Sequence, residues 1–254
     1  MKRRGQMVAA LAALVGSLTA GCTWSIPQDQ LRSDIEDVTE AEVADLTLGN
    51  PRLGEGPVLS LTPPNRQVSL STADLVAAIV VLDRYRSEYP AMRDAGAWVI
   101  ACGDQEVGVG WSRKTDARPS MVEEITGGAT GPYDDSYCEF PDLKRLGIEG
   151  AGGNFTRIGE CNPALELLRI YSWDGMTDFG GLADLGHLRK LFILGTVDEP
   201  SVFPRIGSLE YLQVRLAEDT TANREALQAR LPECEIQFTD EAGSVVQYPP
   251  DSDR

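Results

Sequence analysis

Basic side chains are scarce in this 254-residue chain: 23 Lys+Arg stand against 39 Asp+Glu, a formal charge of −16. A protein that lives on phosphate contacts needs a basic face, so the balance argues against a nucleic-acid partner. Histidine is scarcer still. A lone His187 cannot build a multi-histidine metal centre, and no Ser or Cys nucleophile motif accompanies it, so it reads as an exposed turn residue. Gly108-x-Gly110 and the stretch Gly147 to Gly153 lack the Gly-Lys-Ser/Thr and following helix of a phosphate loop. Asp134 and Asp135 lack the ligand spacing of a calcium loop. Acid pairs such as Asp198-Glu199 come freely in so acidic a chain, which leaves a carboxylate-based envelope hydrolase only as an alternative. The expectation is a protein that is not an enzyme, with no cofactor and no metal. Hydrophobic residues at 42% and charged residues at 24% are ordinary globular values, so most of the chain can bury a core.

Lys2-Arg3-Arg4 precede an uncharged run from Met7 to Leu18. That run is too short to span a ~30 Å hydrocarbon core but fits the apolar part of a secretory signal. Leu18-Thr19-Ala20-Gly21-Cys22 follows directly and resembles the lipobox of bacterial lipoproteins, with Thr19 departing from the usual aliphatic residue. The resemblance implies removal of residues 1–21, diacylglyceryl modification of Cys22, and a body held outside the cytoplasmic membrane by its lipid.

Residues 22–66 are expected to form an acidic flexible tether. Seven acids and a single Arg lie between Asp29 and Asp45, and Gly49-Asn50-Pro51, Gly54 to Pro57 and Pro63-Pro64 crowd in after them. A small α+β unit over 67–140 should follow. Ser71-x-x-Asp74 has the form of a capping box, and Leu75, Ile79, Leu82, Tyr85 and Tyr89 share one helical face. Trp98 to Cys102 and Glu106 to Trp111 read as a hairpin. Residues 112–137 carry no clear pattern.

From residue 143 a unit recurs: Leu143-x-x-Leu146-x-Ile148, Leu165-x-x-Leu168-x-Ile170, Leu188-x-x-Leu191-x-Ile193, Leu209-x-x-Leu212-x-Val214 and Leu231-x-x-Cys234-x-Ile236. Its period of 21–23 residues is similar to that of the leucine-rich-repeat family. The resemblance implies an α/β fold over 141–240, a short irregular solenoid of about five parallel rungs, followed by an acidic tail over 241–254. The family's Asn or Cys at the ninth position is missing, with Ala151, Trp173, Thr196, Ala217 and Thr239 there instead. The same spacing would also suit an α/β layer fold with four or five parallel strands.

Positions between the core residues of each strand should face outward on the concave sheet. Over four rungs they hold six basic and three acidic residues, with Tyr171, Phe192 and Tyr211 at the centre. This makes Arg145, Arg169, Tyr171, Lys190, Phe192, Tyr211 and Arg215 the candidate docking residues for a protein or acidic ligand. The function expected is a membrane-anchored protein-binding module; a purely structural envelope lipoprotein is the other alternative.

Four cysteines remain after Cys22, which permits disulfides in an exported chain. Cys161 and Cys234 lie three rungs apart, roughly 14 Å at ~4.8 Å per strand, too far to bond. One disulfide is expected near the first rung, Cys102 with Cys138 ahead of Cys138 with Cys161, and Cys234 should be a buried thiol.

Overall fold

Leucine, isoleucine and valine at alternating places can cover one side of a strand only, so each strand must find neighbours that bury the same side. The structure, a computed structural model, describes residues 27–47, 57–62, 71–89, 92, 97–102, 105–112, 120–127, 132–149, 155–171 and 180–246. Among them ten strands form one mostly parallel sheet in chain order, with four α-helices, and the fold is α/β. The strands are β1 (Glu42–Thr47), β2 (Val58–Thr62), β3 (Trp98–Cys102), β4 (Gln105–Trp111), β5 (Val122–Gly127), β6 (Arg145–Glu149), β7 (Leu167–Tyr171), β8 (Lys190–Val197), β9 (Tyr211–Leu216) and β10 (Glu235–Phe238). The helices are α1 (Gln28–Val38), α2 (Thr72–Glu88), α3 (Ile158–Cys161) and α4 (Thr221–Arg230).

The segment expected as a flexible tether is instead structured where it is described. Leu31 and Ile35 of α1 are fully buried, and Val43, Leu59 and Leu61 of β1 and β2 join the core. Two of the acids that suggested a solvated spacer, Asp34 and Glu36, act as ties. Asp34 accepts from Gln30, from Tyr85 Oη at 2.9 Å and from Arg84, and Glu36 Oε1 accepts the Val43 N–H at 3.0 Å. Those hydrogen bonds and the Arg84 charge hold the Asp34 carboxyl below its ordinary 3.8, while burial beside that carboxylate lifts Tyr85 to about 12. The tie is therefore present above the ordinary carboxylate value and is lost as acid protonates Asp34.

Helix α2 forms as the capping box implies: Ser71 Oγ accepts the Asp74 N–H, and Leu75, Ile79, Leu82 and Tyr85 are buried. It connects β2 to β3, which lie parallel, and β3 and β4 form the expected antiparallel hairpin. Strand β5 was illegible in the sequence. It pairs antiparallel with β4 and parallel with β6, so no boundary near residue 140 divides the core, and one buried cluster runs from Leu31 to Phe238.

Leu146, Leu168, Leu191 and Leu212 stand side by side on β6 to β9, fully buried, and Ile148, Ile170 and Ile193 form a second row. Before each strand a tight turn recurs. The carbonyls of Phe140, Asn162, Leu185, Ile206 and Leu231 accept the N–H groups of Leu143, Leu165, Leu188, Leu209 and Cys234 at 3.1–3.3 Å. This corrects the fifth unit. Leu231 takes the turn position, and Ile236 and Phe238, not Cys234 and Ile236, pair with Leu212 and Val214. A two-residue slip keeps the same side chains inward, because strand side chains alternate with period two.

Neighbouring turns are stitched together. Asn162, fully buried, donates from Nδ2 to the Tyr137 and Phe140 carbonyls at 2.9 Å and accepts Tyr133 Oη at 2.8 Å. Ser208 Oγ reaches the Leu185 and Leu188 carbonyls at 3.0 and 2.9 Å. Gly181 packs so closely that a Cβ there would lie 1.6 Å from the Phe155 carbonyl oxygen. The disulfide joins Cys138 to Cys161, 23 residues on, with Cα atoms 4.3 Å apart. The pairing of Cys102 with Cys138 is thus corrected: Cys102 is buried on β3, three strands from β6 and roughly 14 Å away at sheet spacing. Asn162→Ala leaves the buried Tyr133 Oη without its acceptor and takes one of two bonds from each of the Tyr137 and Phe140 carbonyls, and is expected to cost about 2 kcal/mol. Reducing the disulfide is expected to cost about 3 kcal/mol by the loop-closure argument. Urea denaturation with and without reductant measures both, and unchanged midpoints would contradict the stitching.

Candidate functional site

Helices α1, α2 and α4 and the short outer turns lie on the buried side of the sheet, where their apolar residues join the same cluster. Among the described residues no element covers the opposite face. Alternation places Arg145 and Gly147 of β6, Leu167, Arg169 and Tyr171 of β7, Lys190 and Phe192 of β8, and Tyr211, Gln213 and Arg215 of β9 on that open face.

All seven candidate residues lie on that face. The Tyr171 ring lies over Gly147, where the missing side chain leaves room: a Cβ would sit 3.5 Å from Tyr171 Cε2. Arg169 places its guanidinium 5.2 Å from the Phe192 ring centre, a cation–π contact. Phe192 and Tyr211 follow with centroids 5.5 Å apart, tilted by 48°. Tyr211 Oη donates to Gln237 Oε1, and burial together with Glu235 raises its pKa, so the phenol stays neutral at neutral pH. Arg215 donates from Nε and Nη2 to Thr196 Oγ1 at 3.1 and 2.7 Å. Lys190 is exposed beside Tyr211.

The charge picture is less one-sided than the strand count implied, because β5 brings two acids to the same sheet and Glu210 offsets Arg189. Glu123 pairs with Lys144 at 2.8 Å, Glu124 with Arg145 at 3.2 Å, and Glu210 with Arg189 at 3.1 Å. Arg145, the seventh candidate, is therefore held at the margin. Among the described residues Arg169, Lys190 and Arg215 form no ion pair, and they ring the aromatic cluster.

Sequence reasoning left Leu194 and Thr196 out of the candidate set. Between Phe192 and Thr196 of β8 the register with β9 shifts: Ile193, Leu194 and Gly195 span the single position opposite Val214. The inside–outside alternation continues unbroken through this irregularity, so Leu194 stays on the open face, 44% exposed at the end of the aromatic row. The clue in the sequence was the alternation itself, which puts Leu194 and Thr196 on the same side as Lys190 and Phe192.

His187 lies exposed at the turn before β8, in an open cleft of about 550 Å³ lined by Glu166, Arg189, Glu210 and Glu233. A smaller, more apolar cleft of about 350 Å³ lies between Ile206, Leu209, Leu231 and Cys234. Cys22 lies outside the described residues. No protein-family model matches the chain, and no curated protein or solved structure matches it.

Cys234 is a buried thiol, and burial with Glu235 alongside pushes it up to about 11. It should stay protonated and inert at pH 8. Maleimide at that pH is expected to modify Cys102 and Cys234 only after denaturation; fast labelling of either in the native protein, read by mass spectrometry, would contradict their burial.

Proposed function

We propose that the protein is an extracytoplasmic lipoprotein, anchored through acylated Cys22, whose parallel strands form a short irregular leucine-rich-repeat array that binds another protein without catalysis. The observation that carries this reading is the uncovered sheet face, where Leu194 stands beside an aromatic–arginine row. Aromatic and arginine side chains with an apolar knob supply most of the energy at protein interfaces. Arg169, Lys190 and Arg215 favour an acidic partner surface. The repeated turns before β6 to β10 support the repeat reading, and their unequal outer segments, from 3-10 turns to the ten-residue α4, suit an irregular array. The Cys138–Cys161 disulfide suits an oxidising compartment outside the cytoplasm.

A Cys22→Ser chain is expected to lose labelling by a fatty-acid probe, and retained labelling would end the anchor claim. For the binding face, a photo-crosslinking amino acid at Phe192 should yield an adduct in intact cells that disappears with Arg169→Glu. The same probe at Asp37 on α1 should yield none; equal adducts from both sites would refute the docking face.

A further inference from the structure

The two edges of the sheet are finished differently. At β1 the outer edge is closed by side chains of α1: Glu36 Oε1 accepts the Val43 N–H at 3.0 Å, and Arg32 donates to the Val43 carbonyl. At β10 the outer edge is left to the backbone. Glu235 and Thr239 donate their N–H groups toward β9, to the Glu210 and Val214 carbonyls at 3.0 and 2.9 Å. A strand turns the backbone groups of alternate residues to opposite edges, so those of Ile236 and Phe238 face away from β9. The Phe238 carbonyl accepts the Val246 N–H at 2.8 Å, whereas no described residue meets the N–H or carbonyl of Ile236. The Ile236 side chain is only half-buried, although it pairs with the fully buried Leu212. An edge in this state is a template for one more strand.

The chain itself turns back toward that edge. After β10, Asp240 Oδ1 accepts the Ala242 and Ser244 N–H groups at 2.9 and 2.8 Å, and the Asp240 N–H donates to the Ser244 carbonyl at 2.9 Å. Gly243 supplies the φ of +75° at which a side chain would be strained. The turn sets Val245 opposite Thr239 in an antiparallel bridge. Strand alternation is already running there: Val245 is 53% exposed, while Val246, opposite Phe238, is half-buried.

We propose that the outer edge of β10 is a strand-docking surface whose occupant is this chain's own residues 247–249, which lie outside the described residues and continue the hairpin antiparallel. Counting on from the bridge of Thr239 with Val245 sets Gln247 opposite Gln237, Tyr248 opposite Ile236 and Pro249 opposite Glu235. Each residue type suits its place. Tyr248 falls where a hydrogen-bonded pair exchanges both backbone bonds with Ile236, on the side where Ile236 is incompletely covered. Pro249 falls at a non-hydrogen-bonded place, where an N–H would point away from β10 and a proline is accepted. Pro250 falls where the ladder needs the N–H that proline lacks, which ends the pairing. The proline pair also leaves an outer edge that resists a further strand. The proposal stands independently of the lipid anchor and of the docking role of the open face.

The test is a pair of double-cysteine variants of the full chain under mild oxidation. Cα atoms of a non-hydrogen-bonded antiparallel pair lie about 4.5 Å apart, within disulfide reach. Gln237→Cys with Gln247→Cys is therefore expected to close a bond within one chain. Gln237→Cys with Tyr248→Cys, one residue out of register and on opposite faces, is expected to stay open; the native thiols Cys102 and Cys234 are buried. Failure of the first pair to close, or equal closure of both, would overturn the register. Closure between two chains would give the edge to a second copy and overturn the proposal as well. Amide exchange in the unsubstituted chain needs no variant to fold: the Tyr248 N–H is expected to exchange slower than an unfolded peptide by roughly tenfold or more, and exchange at the unfolded rate would overturn the added strand.

Discussion

One-sided burial along the parallel strands is the constraint on which the molecule depends. Each strand from β5 onward carries two or three apolar residues on one side, too few to hold it alone. Stacking merges them into continuous rows such as Leu146, Leu168, Leu191 and Leu212. The recurring turn sets where each strand begins, and Asn162, Ser208 and the Cys138–Cys161 bond lock one turn to the next. The same constraint leaves the other face with no structural duty. Tyr171, Arg169, Phe192 and Tyr211 can occupy it because the fold does not need them inside.

Legibility followed from how local each signal was. The rows of Leu and Ile at a 21–23-residue period marked β6 to β9, and Ser71-x-x-Asp74 marked the start of α2. The fifth unit was misaligned because Leu231-x-x-Cys234 copies the spacing of a strand while sitting one turn earlier. β5 was lost because only Val122 and Ile125 are apolar in it; its pairing with β6 is long-range information. In α1 the two buried residues, Leu31 and Ile35, were outweighed by acids whose partners, Tyr85 and Arg84, lie about 50 residues away.

The disulfide shows the same division. Cys138 and Cys161 occupy corresponding outer positions of consecutive units, five residues before Leu143 and four before Leu165. Once the recurring turn is seen to precede each parallel strand, their pairing follows from the spacing of neighbouring strands. For the candidate face, the outward positions were readable from alternation, but the ion pairs from β5 and the register shift between β8 and β9 were not. Both depend on which strand lies next to which.

The account stands on the open sheet face being occupied in the cell. Hydroxyl-radical footprinting compares side-chain oxidation in the purified protein with that in intact cell envelopes. Tyr171, Phe192 and Tyr211 are expected to oxidise readily when purified and to be protected in envelopes, while buried Tyr133, Tyr137 and Phe203 stay unreactive in both. Equal oxidation of the open-face aromatics in the two settings would contradict the docking role of that face.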